Sequence, residues 1–184
     1  MDEFRMMATV LSMILGLGVT RLLLGLVTVF RIRRTAPVDW MPLAWAGIVF
    51  VVQLQFWWGV NQLPAIRPAF AFGDFVFLVA LTLMLFLSAA LLLPSRAEDE
   101  SEGLRTYFER DGRYGLLAFA SFLVLGFVVN LWFFREALLG LWSVLDIPMI
   151  VLPVAAFLSK SRRAQTWITV LYVPLMLVDV WVSL

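Results

Sequence analysis

Residues 11–30 read LSMILGLGVTRLLLGLVTVF, an apolar run long enough to cross a bilayer as one helix, with an arginine, Arg21, well inside it. An arginine at the centre of a membrane helix costs roughly 2.5–3.5 kcal/mol to insert, so it is expected to face protein and to have a partner. If the helix runs to Phe30, Arg21 lies about 14 Å from that end, further than snorkelling recovers. Ile14, Gly18, Arg21, Gly25 and Thr28 follow at spacings of four, three, four and three, so they share one side of the helix. Gly18 and Gly25 on that side predict close approach by a second helix. Two roles stand open for Arg21: an ion pair or carbonyl ligand that fixes packing, or a contact to a bound ion or solute.

Working outward, the same kind of segment recurs. Apolar stretches cover about 6–30, 40–60, 70–93, 114–134, 138–158 and 166–184, each near the roughly 20 residues that span a bilayer. The expected fold is therefore all-α: one polytopic transmembrane bundle, 1–184, of six helices. The count falls to five if 138–158, interrupted by Pro148 and Pro153, only re-enters. Lys and Arg set the orientation. The loops after the first, third and fifth segments hold Arg31, Arg33, Arg34, Arg96, Arg105, Arg110, Arg113, Lys160, Arg162 and Arg163, against Arg5, Arg67 and Arg135 on the other side. This asymmetry predicts that both termini are outside. Trp40, Trp57, Trp58, Trp132, Trp142, Trp167 and Trp181 fall near segment ends, as interfacial anchors do.

Composition narrows the chemistry. The 184 residues are 62% hydrophobic and 15% charged, against roughly 45–50% and 25% in a soluble domain. Cysteine and histidine are both absent, which removes disulfides, thiolate nucleophiles, His- or Cys-ligated metals and haem, and histidine-based catalysis. No metal site and no cofactor is expected. A net charge of +1 predicts no nucleic-acid role. The opening MDEFR, acidic as well as basic, and the length of the run behind it do not read as a cleavable signal peptide.

The longest polar connection, 94–113, reads PSRAEDESEGLRTYFERDGR. Its first half is an acidic solvated loop. In its second half Leu104, Tyr107 and Phe108 sit at i, i+3 and i+4, the spacing of a short helix lying on the membrane interface.

Polar residues inside the apolar segments are the candidate ligand or ion contacts: Arg21, Gln53, Gln55, Asn130, Asp146 and Asp179. Arg21, Gln53, Asn130 and Asp179 lie at about 14, 20, 24 and 20 Å from the cytoplasmic ends, Asp146 nearer the outer face. Gln53 and Gln55 point to different sides of their helix. The first, second, fourth and sixth segments are thus expected to share one polar layer, with Arg21 meeting Asp179 or Gln53. Asp146 and Asp179 do not read as a catalytic pair, because DIP and DVW lack an aspartyl-protease context; no catalytic residue is expected.

The opening VLSMILGLGVTRLLLGL, the Arg-rich turn and a second helix ending QLQFWWGV resemble an uncharacterised family of small bacterial integral membrane proteins. The resemblance spans residues 8–61 and rests on Gly16, Gly18, Arg21, Gln55, Trp57 and Trp58. It implies a bacterial inner-membrane location and a six-helix bundle, and supplies no activity. The expected function is binding or passing a small ion or solute through the polar layer, as a homo-oligomer within the lipid bilayer. The rival is an accessory or scaffold subunit that docks a membrane protein partner through 94–113.

Overall fold

The computed structural model describes residues 3–66, 70–94, 103–133 and 141–183; the side chains of 3, 66, 130–133, 141–144 and 183 are outside that description. Seven α-helices are present among the described residues: α1 Glu3–Ile32, α2 Trp40–Ile66, α3 Phe72–Leu92, α4 Leu104–Tyr107, α5 Tyr114–Phe133, α6 Leu141–Leu158 and α7 Arg162–Ser183. α4 runs on into a π-type turn, Phe108–Gly112, and this pair of turns is bent by 50° from α5. Among the described residues α1, α2, α3 and α7 are long and apolar enough to cross a membrane, and the bent pair adds a fifth candidate. α6 persists through Pro148 and Pro153, with a shorter apolar stretch, Leu145–Leu158.

Side-chain partners fix how the helices run. Phe4 meets Phe70, Arg21 meets Ala90, and Gly25 faces Leu93, so α1 and α3 are parallel. Gly18 lies against Gln53 while Ser12 accepts from Trp57, so α2 runs against α1. Asp39 pairs with Arg162, Trp45 with Thr169 and Gln55 with Asp179, so α2 and α7 are parallel. α5 starts where α3 ends, with Gly115 against Ser88 and Leu92, and Gln165 reaches back to Ala156 across the α6–α7 turn. α1, α3 and α6 therefore run one way and α2, α5 and α7 the other.

The packing closes into a ring in the order α1, α3, α5, α6, α7, α2 and back to α1, and a contact of α2 with α3 crosses it. That crossing divides the interior into a narrow three-helix compartment (α1, α2, α3) and a wider five-helix one (α2, α3, α5, α6, α7). The core of the wider compartment is aromatic. Trp45, Phe119 and Tyr172 are fully buried, with Trp45 and Tyr172 rings 4.9 Å apart and Phe119 edge-on to both. Rings in these offset and edge geometries are worth about 0.5–1.5 kcal/mol per pair beyond area burial.

The end of the bundle where α1 stops and α2 starts carries Arg31, Arg33, Arg34, Arg105, Arg110, Arg113, Lys160, Arg162 and Arg163; we call it the basic end. α3 stops short of it. Its neighbour Leu93 sits beside Gly25, seven residues before α1 finishes at Ile32, a shortfall of about 10 Å. α4 and the π-type turn fill that gap. Leu104, Tyr107 and Phe108 are buried there, so the i, i+3, i+4 triplet packs under α3 and against α5. The short helix expected in this connection is present, with its apolar triplet turned into the protein. Gly103 makes the entry with φ +82° and ψ 151°, a conformation open to glycine, and its Cα side faces the ring of Pro37.

Candidate functional site

Arg21 lies in the narrow compartment. Its Nη2 donates to the carbonyl oxygen of Ala90 at 3.1 Å. Ala90 stands in the last turn of α3, where the final four carbonyls have no intrahelical donor and the helix dipole is negative. Tyr107 serves the same end: its hydroxyl is shared between the carbonyls of Leu91 at 2.9 Å and Leu93 at 3.3 Å. Together the two side chains cap a helix terminus that ends inside the protein. Arg21 thus meets neither Asp179 nor Gln53, contrary to the expectation from depth alone: the α2–α3 contact separates its compartment from that of Asp179, and its guanidinium goes to the Ala90 carbonyl in place of Gln53.

Gln53 belongs to the narrow compartment as well. It is 1% exposed, and a Cβ on Gly18 would collide with its Nε2. Both of its amide atoms lack a partner among the described residues. Gly18 and Gly25 supply the space that α1 needs: a Cβ at Gly25 would fall 2.6 Å from Leu93 Cβ.

Two residues further along α2, and about 200° around it, Gln55 faces the other compartment. There its Nε2 donates to Asp179 Oδ2 at 2.9 Å. Both line a cavity of about 330 Å³, to which α6 adds Asp146. Its remaining walls are apolar: Leu78 and Leu81 from α3, Phe56 from α2, Phe122 and Phe127 from α5, Met149 from α6. Phe56 and Phe122 meet edge to face at 5.5 Å. Gly59 and Gly126 open the walls, and a Cβ on either would meet nothing within 4 Å. Among the described residues the cavity is therefore a hydrophobic pocket with three polar side chains drawn from three helices, toward the end opposite the basic one. Asp146, Asp179 and Gln55 each have further interactions, so none of them is a free group.

No family model, no curated protein and no solved structure matches the chain.

Three of the six candidates, Gln55, Asp146 and Asp179, are thus brought together, while Arg21 and Gln53 are held apart from them. Asn130 is in α5 by its backbone, and its side chain lies outside the described residues. Trp132 and Trp142, and the acidic half of the 94–113 connection, lie outside them too. Among the described residues no group of three or more His, Cys, Asp or Glu is placed to hold a metal ion.

The floor of the cavity, toward the basic end, is the aromatic layer. Phe122 of the wall stacks on Phe119, which abuts Trp45 and Tyr172. On α7 the residues Arg162, Gln165, Thr169, Tyr172, Met176 and Asp179 follow at spacings of three and four, so a polar stripe broken once by Met176 leads from the basic end to the cavity. Its groups are engaged in turn. Arg162 pairs with Asp39, Gln165 Nε2 donates to the Ser159 carbonyl at 2.9 Å, and Thr169 Oγ1 accepts from Trp45 Nε1 at 3.0 Å. The Tyr172 hydroxyl, fully buried, has no partner among the described residues. Asp39 also receives the Met41 amide N–H at 3.1 Å, capping α2.

Sequence reasoning passed over Asp39, Trp45 and Tyr172, and read Tyr107 as an interfacial residue, not a helix cap. Signals were present for two. Trp45 is the one tryptophan away from a segment end, and Asp39 stands at the N-cap position immediately before an apolar run.

Proposed function

We propose that the chain is a six-helix bundle of the bacterial inner membrane, both termini outside, that binds a small solute or ion in the cavity of Gln55, Asp146 and Asp179. The carrying observation is that cavity: about 330 Å³, lined by five helices of a single chain, with polar side chains, among the described residues, on α2, α6 and α7. Pockets of this size, mostly apolar with a few convergent polar groups, are the usual form of a small-molecule site. Six alternating helices and the concentration of Lys and Arg at one end support the topology, in which the cavity lies nearer the outer side. The resemblance of residues 8–61 supports the location. Pro148, two residues past Asp146, and Pro174, five before Asp179, stand inside α6 and α7 near the site, and each removes one backbone donor from its helix. Binding needs no second copy, since one chain builds the walls. Passage through the protein would require the Trp45–Phe119–Tyr172 layer to open.

The test is a panel of small cationic, neutral and anionic solutes titrated into the purified protein in nanodiscs, read by thermal stability, against Gly126→Leu. The leucine fills open space at the cavity wall, so it should preserve folding and abolish any stabilisation seen with wild type. A solute that stabilises both proteins equally binds elsewhere, and a panel with no stabilising member removes the reading.

A further inference from the structure

The narrow compartment holds two sets of unspent hydrogen-bond donors. We infer that Arg21 and Gln53 together bind a small monovalent anion of the halide class there, independently of the solute cavity. Among the described residues Arg21 makes one hydrogen bond, to the neutral Ala90 carbonyl, and no ion pair. The charge and the other N–H groups of its guanidinium are left unserved. Gln53 is 1% exposed, and neither its Nε2 nor its Oε1 has a partner among the described residues.

The two side chains share one seam. The Gln53 amide packs against Gly18, whose free face also approaches the backbone of Phe86. Arg21 is three residues on from Gly18, and its acceptor Ala90 is four on from Phe86. Amide and guanidinium therefore lie about 5 Å apart along α1 and α3, a separation that a single ion bridges. Arg21 is half-buried, so open space adjoins its guanidinium. The walls at this level are α1, α2 and α3, described with their side chains over residues 4–32, 40–65 and 72–92. Their one carboxylate is Asp74, in the first turn of α3 and about 18 Å along it from Phe86.

A charge at membrane depth is stable when it is neutralised, and low dielectric strengthens its attraction to a counter-ion. A water would serve the amide and leave the charge of Arg21 as it is, whereas an anion serves both. One fixed positive charge calls for one negative charge, because a divalent anion would leave a net charge in the same surroundings. The burial of Gln53 and the close approach of α1 at Gly18 and Gly25 hold the ion to the smallest sizes.

The probe is chloride, read by broadening of its NMR line on protein in zwitterionic nanodiscs, with empty discs subtracted and ionic strength held constant with gluconate. The expected result is saturable broadening, displaced by bromide and not by sulfate. Hydrogen exchange on the unaltered protein locates the ion: chloride in place of gluconate should slow exchange in the last turns of α3 and in the turns of α1 around Gly18. Gln53→Met keeps the side chain's length and removes its amide, so chloride should bind about tenfold or more weakly. Gln53→Glu supplies the negative charge from the chain itself and should abolish chloride binding. Absence of saturable broadening, or protection confined to the basic end, overturns the proposal whether or not the variants fold. Unchanged chloride affinity in either folded variant overturns it as well. A phospholipid phosphate held by Arg21 in the ion's place would show as the first of these outcomes. The solute panel reads the cavity and is untouched by any of them.

Discussion

Arg21 on α1 donates a hydrogen bond to the carbonyl of Ala90 in the last turn of α3, 3.1 Å away, and so closes a helix end inside the bundle. The costliest residue in the first apolar run of the chain is a cap. Substituting it should change stability and leave the cavity untouched. Arg21→Gln is expected to lose about 1–3 kcal/mol of unfolding free energy, the range for a charged hydrogen bond whose acceptor is left unserved. Affinity for a cavity ligand should stay within about twofold. Denaturant titration beside binding checks this, and a large affinity change at wild-type stability would count against the cap.

Tyr107 shares that duty, so Tyr107→Phe removes one hydroxyl from the Leu91 and Leu93 carbonyls without altering packing volume. The expected cost is about 1 kcal/mol. Hydrogen exchange should show the loss locally, in faster exchange near the end of α3. Uniformly faster exchange over all helices would argue that the hydroxyl is not a local cap.

Glycines on α1 should separate by face. Gly25→Ala places a methyl group 2.6 Å from Leu93 Cβ, whereas Gly16→Ala meets nothing within 4 Å. Overpacking is expected to cost about 1–3 kcal/mol at Gly25, and the gain in helix propensity to leave Gly16→Ala neutral or slightly stabilising. Equal effects on melting temperature would place α3 elsewhere.

Asp39 and Arg162 pair beside the first turns of α2 and α7, with Asp39 8% exposed and the Arg162 side chain about a quarter exposed. A double-mutant cycle with Asp39→Ala and Arg162→Ala should give a coupling of about 1.5–3 kcal/mol, since removing either partner leaves the other partly buried and unpaired. Additive losses would reduce the pair to a surface contact.

The lack of any native cysteine makes sidedness directly measurable. Ser101→Cys and Ala137→Cys fall in loops predicted on opposite sides. In intact cells an impermeant maleimide is expected to label Ala137→Cys alone, with Ser101→Cys labelled only after lysis. The reverse pattern would turn the bundle over and put the cavity on the cytoplasmic face.

The sequence by itself determined the helices and their likeness to membrane spans, because apolar run length and the placing of Lys and Arg are local properties that need no partner. It also marked Gln55, Asp146 and Asp179 as costly, since a polar group at that depth is costly whatever it touches. It gave no means of grouping them. Depth along a helix is legible from residue number, but azimuth between helices depends on which pairs pack. Arg21 and Asp179 are both intramembrane charges and lie in different compartments because α2 meets α3 between them. Gln53 and Gln55, two residues apart, fall on opposite sides of that same contact. Only the tertiary structure decided that α3 ends early, that Arg21 and Tyr107 cap it, and that two aspartates from adjacent helices line one cavity. Those outcomes follow from helix lengths and closest approaches summed over the whole ring.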